Sequence, residues 1–415
     1  MTGAPTTDAS GVVYLDNAAT TPLDPRVLAR MSEWLGAQAG FGNAASLHGY
    51  GRAAASAVEA ARAEVAALIN AQPEELIWTS GATEANNLAI LGAARFYGPT
   101  RGRHVVTVRT EHKSVLGPCA RLAAEGFAVT QLEVERDGSL DLERLAAAVR
   151  PDTALVSVMY VNNETGVVHP IDRIAAIVKA SGTLLHVDAV QAAGRLPIDV
   201  AALGVDLLSL SAHKLYGPKG VGALYLRRRP RIRLQPLLWG GDQEGGLRPG
   251  TVPVHQVVGM GEAYRLAREQ GEADLARLRQ LKQRLWDGLS ALDGVVRNGR
   301  EDGSPHILNV AFVGVQGEAL AAALDGVAAS TTSACSAAAG AASHVLRAMG
   351  VPEQLAHASL RLSLGRFTTE QDIDSAVQAL AAAVERLRAI SPVWREYRAG
   401  RSLEELYSAG GRQHG

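Results

Sequence analysis

Between Glu75 and Leu226 short apolar runs alternate with polar turns and helix-patterned stretches, and this alternation constrains the fold more than any other feature. The runs are Leu76–Thr79, His104–Arg109, Ala128–Leu132, Ala154–Tyr160, Leu184–Val187, Asp206–Leu210 and Gly222–Leu226. ALVSVMY at Ala154–Tyr160 is continuously apolar, as in a strand covered on both faces. Strand–helix alternation of this kind predicts an α/β fold, a mostly parallel sheet with helices on both faces. Such sheets bind ligands beyond the carboxyl ends of their strands. Thr83, His112, Asn163, Asp188, Gln191, His213 and Lys214 all lie just past predicted strand ends.

The flanking segments read differently. Tyr14–Asp16 reads as a short strand, and Asp24 caps a helix opened by Pro25. FGNAASLHGYG at Phe41–Gly51 is loop, followed by a helix of about 16 residues with Ala53, Ala57, Ala60, Ala61 and Leu68 inside. A long helix is expected over Val254–Leu292, with Leu275, Leu278, Leu281, Leu285 and Leu289 as its stripe. It leads to a smaller α+β domain: a strand His306–Phe312, a helix near Gly317–Leu324, an Ala/Ser/Gly segment around Cys335, a strand Ser359–Ser363, a helix Thr369–Ile390 and a polar tail. The expected division is a large domain over 24–268 and a small one over 1–23 and 269–415. Abundant alanine blurs the helix boundaries.

Bulk properties narrow the function. A net charge of -1 gives no general pull toward nucleic acid or a membrane surface. No apolar run reaches the roughly 18 residues of a membrane span. MTGAPTTDAS has neither the basic and apolar regions of a signal peptide nor the arginines of a transit peptide. Two cysteines make no disulfide framework, so the expected compartment is the reducing cytoplasm. The basic run RRRPRIR at Arg227–Arg233 reads first as a solvated turn and second as a docking surface.

The chain has five lysines, Lys113, Lys179, Lys214, Lys219 and Lys282. Lys214 follows Ser211 and His213 in a strand–turn–strand unit, which marks it for amine chemistry that arginine cannot perform. A free lysine, with a pKa of roughly 10.4, is almost wholly charged at neutral pH. An imine to an aldehyde cofactor removes that difficulty. Pyridoxal phosphate needs a lysine, a carboxylate for its ring nitrogen, a flat group over the ring and a donor-rich phosphate cup. The chain offers Lys214, Asp188, His112 and the Gly81-Ala82-Thr83 turn at a helix start, with Ser211, His213 and Thr251 as further donors. Singly, each is as well read as a cap or a packed side chain; their joint placement favours the cofactor. Cys335 sits among small polar residues, Ala328–Ser343, which argues against burial. With about seven such residues on each side it can travel on the order of 20 Å. Cys119 lies on a stripe with Val115, Leu116 and Leu122 and reads as core.

The motifs YLDNAATTP at Tyr14–Pro22, TSGATEANNLAI at Thr79–Ile90, TEHKSV at Thr110–Val115, VNNETG at Val161–Gly166, HVDAVQ at His186–Gln191, SAHKLYGPKG at Ser211–Gly220, RPGTVPVHQ at Arg248–Gln256, TSACS at Thr332–Ser336 and RLSLGRFTTE at Arg361–Glu370 span nearly the whole chain. With them the chain resembles the cysteine desulfurases of the NifS/IscS type, within the class-V aminotransferase group of pyridoxal-phosphate enzymes. The tail SPVWREY from Ser391 is most similar to the housekeeping IscS branch.

The resemblance implies a fold-type-I transferase that converts L-cysteine to L-alanine and leaves sulfur on Cys335 as a persulfide. It implies that Lys214 holds the cofactor and moves the substrate's α-proton. Asp188 would pair the ring nitrogen, Gln191 the ring oxygen, and His112 would stack on the ring, act as acid or base, and serve as the proton acceptor for Cys335. Ala82, Thr83, Ser211 and His213 would hold the phosphate, with Thr251 reaching across a homodimer to the partner's phosphate. Asn163 and Arg361 would hold the substrate carboxylate. Implied acceptors of the sulfur are an iron–sulfur scaffold protein and carriers for tRNA thiolation. Where the family commonly has Glu-Pro-Ser after the cysteine, this chain has Ala341-Ala342-Ser343; Ser343 can still cap a helix. Another class-V enzyme, a selenocysteine lyase or an aminotransferase, would share the cofactor residues without needing Cys335. A non-catalytic sulfur-assembly subunit would need neither Lys214 nor Asp188.

Overall fold

The computed structural model describes residues 11–36, 40–331 and 342–408, so Cys335 lies outside the described residues. A seven-stranded sheet stands in the order Leu76–Thr79, Gly222–Leu226, Leu207–Ser211, Leu184–Asp188, Thr153–Met159, His104–Val108, Ala128–Leu132. Gly222–Leu226 runs antiparallel to both neighbours, and the other pairings are parallel. The stretch before that strand is short, whereas a parallel return needs a crossover of about a dozen residues or more.

Side chains along each strand alternate between two packing layers. Val106, Val156, Val158, Leu185, Val187 and Leu208 join the layer that contains Val58 and Val65 of the helix Gly49–Leu68. Val105, Leu155, Leu184, Leu207 and Leu224 join the opposite layer, with the helices Ala82–Arg101 and Lys113–Ala124. Cys119 lies in that second layer, fully buried as expected, and burial pushes its thiol up to about 12. The face of Gly49–Leu68 differs from expectation. Ala54, Val58, Ala61 and Val65 are buried, while Ala53 and Ala60 are exposed. Alanine is too small to declare a face; the two valines are what set it.

The helix Val254–Ser290 runs for 37 residues. Its first turns pack Val257, Met260 and Tyr264 into the first layer of the large sheet. Its last turns pack Leu278, Leu281, Leu285 and Leu289 against a second core. Leu275, expected on that stripe, is only half buried. A four-stranded antiparallel sheet supplies the rest of that core, in the order Ser330–Thr331, Ser359–Ser363, Ile307–Phe312, Val295–Asn298. Beside it Val13–Tyr14 pairs in parallel with Val327–Ala328. The tail is not merely polar. Helices Pro392–Arg398 and Leu403–Ser408 carry Trp394, Tyr397, Leu403 and Tyr407 onto Ala311, Val313 and Leu355. The Arg388 guanidinium stacks 3.7 Å from the Trp394 ring.

Candidate active site

The parallel strands end on one side of the large sheet, and the turns that follow them line a cavity of about 560 Å³. Its lining includes Ala82, Thr83, His112, Asn163, Asp188, Gln191, Ser211, His213, Lys214 and Arg361. Thr251 is exposed and does not line it.

Lys214 stands three residues beyond the strand Leu207–Ser211. Its Nζ donates to the carbonyls of Ala18 at 2.8 Å and Ala19 at 2.6 Å. The N-terminal loop is itself clamped to the lysine turn. Thr21 donates through its N–H and its Oγ1 to the His213 carbonyl, at 2.9 and 3.0 Å, and its Oγ1 accepts the Tyr216 N–H at 2.7 Å. Tyr216 holds φ +62°, a left-handed conformation costing roughly 1–3 kcal/mol in a side-chain-bearing residue. Its fully buried ring is held between Arg195 and Arg366, at 5.3 and 4.5 Å. Burial, then Lys214 and Lys219, push His213 down to about 4, so its ring is neutral near pH 7.

Asp188 ends the neighbouring strand. Its Oδ1 accepts the Val190 N–H at 3.0 Å and its Oδ2 accepts Asn86 Nδ2 at 2.8 Å. Asn86 Nδ2 also donates to Ser114 Oγ at 2.8 Å. Ser114 in turn bonds His112, its N–H donating to Nδ1 at 3.1 Å and its Oγ lying 2.7 Å from the same atom. Since Nδ1 accepts, the proton of the neutral ring sits on Nε2. Burial foremost holds His112 below its ordinary value; Asp188 opposes this and Lys214 adds to it. Beside His112, Glu111 is fully buried, with Oε1 accepting the Met159 N–H. Burial, then the Asp188 carboxylate, raise Glu111 well above its ordinary value, which favours the protonated form.

The remaining wall is an open helix end and a guanidinium. The helix Ala82–Arg101 begins at Gly81 with no side-chain cap. Gly81 has φ +149°, and a Cβ built there meets nothing within 4 Å, so it faces open cavity. Gly222 lets this turn approach: a Cβ there would lie 2.8 Å from the Gly81 backbone. Arg361 donates to Asp16 Oδ1 at 2.8 Å, to the Asn163 carbonyl at 3.0 Å and to Ser330 Oγ at 3.1 Å. Its Nε has no partner among the described residues. Ser343 does cap the helix His344–Ala348, accepting from the Val345 and Leu346 N–H groups at 3.1 and 3.2 Å, and it also donates to Glu164.

Sequence reasoning missed Asn86, Ser114, Glu111 and Asp16. Asn86 had a signal: it is a polar residue among Ala85, Leu88 and Ala89 on a buried helix face.

The class-V aminotransferase family matches residues 13–376. The cysteine desulfurase IscS of Salmonella schwarzengrund (strain CVM19633) is 52% identical over 396 residues, covering 95% of this chain and 98% of that one. Among solved structures, a NifS-like protein superposes with a TM-score of 0.84 at 36% identity, over 90% of this chain and 100% of that one. SspA in complex with cysteine superposes with a TM-score of 0.76 at 36% identity, over 86% and 99%. With its sheet order, its strand-end cavity and these likenesses, the chain belongs to the class-V aminotransferase family and, within it, to the cysteine desulfurases of the NifS/IscS type.

Proposed function

We propose that this chain is a pyridoxal-phosphate-dependent cysteine desulfurase, converting L-cysteine to L-alanine and passing the sulfur to Cys335 as a persulfide. The observation that carries the reading is that Lys214, Asp188, His112 and an uncapped helix start all line one cavity in a member of this family.

The residues fit the cofactor. About 560 Å³ lies within the range of small-ligand sites. The open Gly81–Thr83 end, with Ser211 and His213, suits the phosphate; Asp188 suits a protonated ring nitrogen; Gln191 suits the ring oxygen. When bound, the group supplies an electron sink for the carbon that loses its proton.

The protein's own side chains do the rest. Lys214, steered by the Ala18 and Ala19 carbonyls, anchors the cofactor and then carries the substrate's α-proton. Arg361 and Asn163 hold the substrate carboxylate. His112, neutral with its proton on Nε2, exchanges protons at the reacting groups. Cys335 attacks the substrate sulfur as a thiolate. The S–S bond forms as the C–S bond breaks, and the electron pair left on carbon takes a proton to become alanine's methyl group.

The exposed side chains of Leu238 and Trp239, on the same loop as Thr251, support a homodimer in which Thr251 serves the partner's phosphate site. The persulfide would pass to an iron–sulfur scaffold protein and to carriers for tRNA thiolation, in the cytoplasm. Among the described residues no helix is long and apolar enough to cross a membrane. The second core, drawn from Val13, Leu15 and residues between Leu278 and Val384, supports a division into 24–268 and 1–23 with 269–415; Ala18, Ile307, Val345, Leu346 and Met349 cross it to join the first core.

Mass spectrometry after incubation with cysteine tests the reading. The peptide holding Cys335 gains about 32 Da, one sulfur atom. Full turnover of cysteine by a Cys335→Ala variant would instead point to another class-V activity.

A further inference from the structure

We propose that His306 is a positioning residue for the Lys214 cavity: it is the second anchor, beside the Ala18 carbonyl, that holds the Gln191 amide so that the cavity meets its N–H. The proposal rests on the reading that pyridoxal phosphate occupies that cavity.

Gln191 is 6% exposed and held from two sides. Its Nε2 donates to the Ala18 carbonyl at 2.9 Å, and its Oε1 lies 3.2 Å from His306 Nε2. Turning the amide end for end would set Oε1 against the Ala18 carbonyl oxygen, two acceptors with no proton between them. The nitrogen must therefore face Ala18, and the oxygen must face His306. Because Oε1 only accepts, His306 must present an N–H at Nε2.

His306 is 2% exposed. Burial, with Arg195, Lys282 and Arg361 adding to it, holds the ring well below its ordinary value and hence neutral. Its Nδ1 is then bare and must accept. Ser304 Oγ lies 2.6 Å away and supplies the proton. Ser304 is itself fixed, its N–H donating to the Gly166 carbonyl at 2.7 Å and its carbonyl accepting Lys282 Nζ at 2.8 Å. The order of donation from Ser304 to His306, to Gln191 and to Ala18 thus has one direction.

One N–H of Gln191 is left over, and Gln191 lines the cavity. The cavity therefore meets a donor at this point, suited to a ring oxygen carrying negative charge. A donor there favours the deprotonated form of the bound cofactor. The Ala18 carbonyl also receives Lys214 Nζ, so the same backbone atom sets both the amine and the amide.

The test uses the full-length holoenzyme and reads the pH midpoint of the cofactor's visible absorbance. In His306→Leu the Ala18 carbonyl still holds Nε2 but Oε1 loses its partner, so the amide swings about that one remaining bond and its spare N–H leaves the cavity; the midpoint rises by about 1 pH unit, tenfold in the proton equilibrium. In His306→Gln the new side-chain NH₂ reaches the same oxygen, and the midpoint returns to that of the parent. Nitrogen-15 histidine spectra of the unaltered protein show His306 protonated at Nε2 and bare at Nδ1. A midpoint unmoved in His306→Leu, or a proton on Nδ1, overturns the proposal. Should His306→Leu not fold, the nitrogen-15 spectrum decides. A parent protein with no visible band refutes the cofactor reading instead, whereas a band that stays put in His306→Leu refutes only the role of His306.

Discussion

Two walls of the cavity are built on opposite plans. One consists of strand ends and the turns after them: Asp188, Ser211, His213, Lys214, His112 and Ser114, with Asn86 behind. Its members stand on adjacent strands or the helices packed on them. The other wall joins residues far apart in the chain. Arg361 meets Asp16 across 345 positions, and Asn17 Nδ2 donates to the Ser363 carbonyl across 346. Arg366 reaches Asp24 at 3.1 Å and Asp274 at 2.8 Å while covering the Tyr216 ring. The first wall is set by local strand geometry. The second exists only once both cores have formed and met, so the proposed substrate contacts depend on completed folding in a way the proposed cofactor contacts do not.

The largest expected effect lies in the first wall. Lys214→Ala lowers cysteine turnover by about 10³-fold or more and removes the visible band, measured by alanine release and absorbance. Retained activity would break the comparison outright. In the second wall, Arg361→Lys keeps the charge and loses the planar fork. It lowers kcat/KM by about 10- to 100-fold, mostly through KM, with the absorbance unchanged. Asn86→Ala, behind the first wall, strips a donor from both Asp188 and Ser114. It costs about 1–3 kcal/mol of stability, read by denaturant unfolding.

The smallest effect concerns Glu111. Its pKa in the fold lies above its value of about 4.3 in the unfolded chain. Stability linked to this group is complete below that unfolded value and declines as pH rises toward the folded one, because only the unfolded chain ionises freely. Glu111→Gln removes the dependence. Its Tm relative to the parent rises as pH climbs above about 4.3; a constant difference would mean the carboxyl is ionised in place.

The plan of each wall decides how much of it was legible in the sequence. Apolar runs mark strands, and the polar residues just after them mark the first wall, so Asp188, His112 and Lys214 stood out. Asn86 and Ser114 did not, because a hydrogen-bonded relay between site residues has no spacing of its own. Asp16 was invisible for a different reason: nothing local ties it to Arg361. The helix Gly49–Leu68 was found and its face misjudged, since alanines at Ala53 and Ala60 look no different from those inside. The final helices were missed because their aromatic anchors, Trp394, Tyr397 and Tyr407, are spread among charges.

The helix Val254–Ser290 belongs to both hydrophobic cores at once. At a rise of about 1.5 Å per residue it is a strut roughly 55 Å long with no loop along it. The small sheet is therefore not hung on a hinge at this junction. Its displacement must lever the strut against the first core, and neither core can melt without unseating one end of the beam that the other still grips.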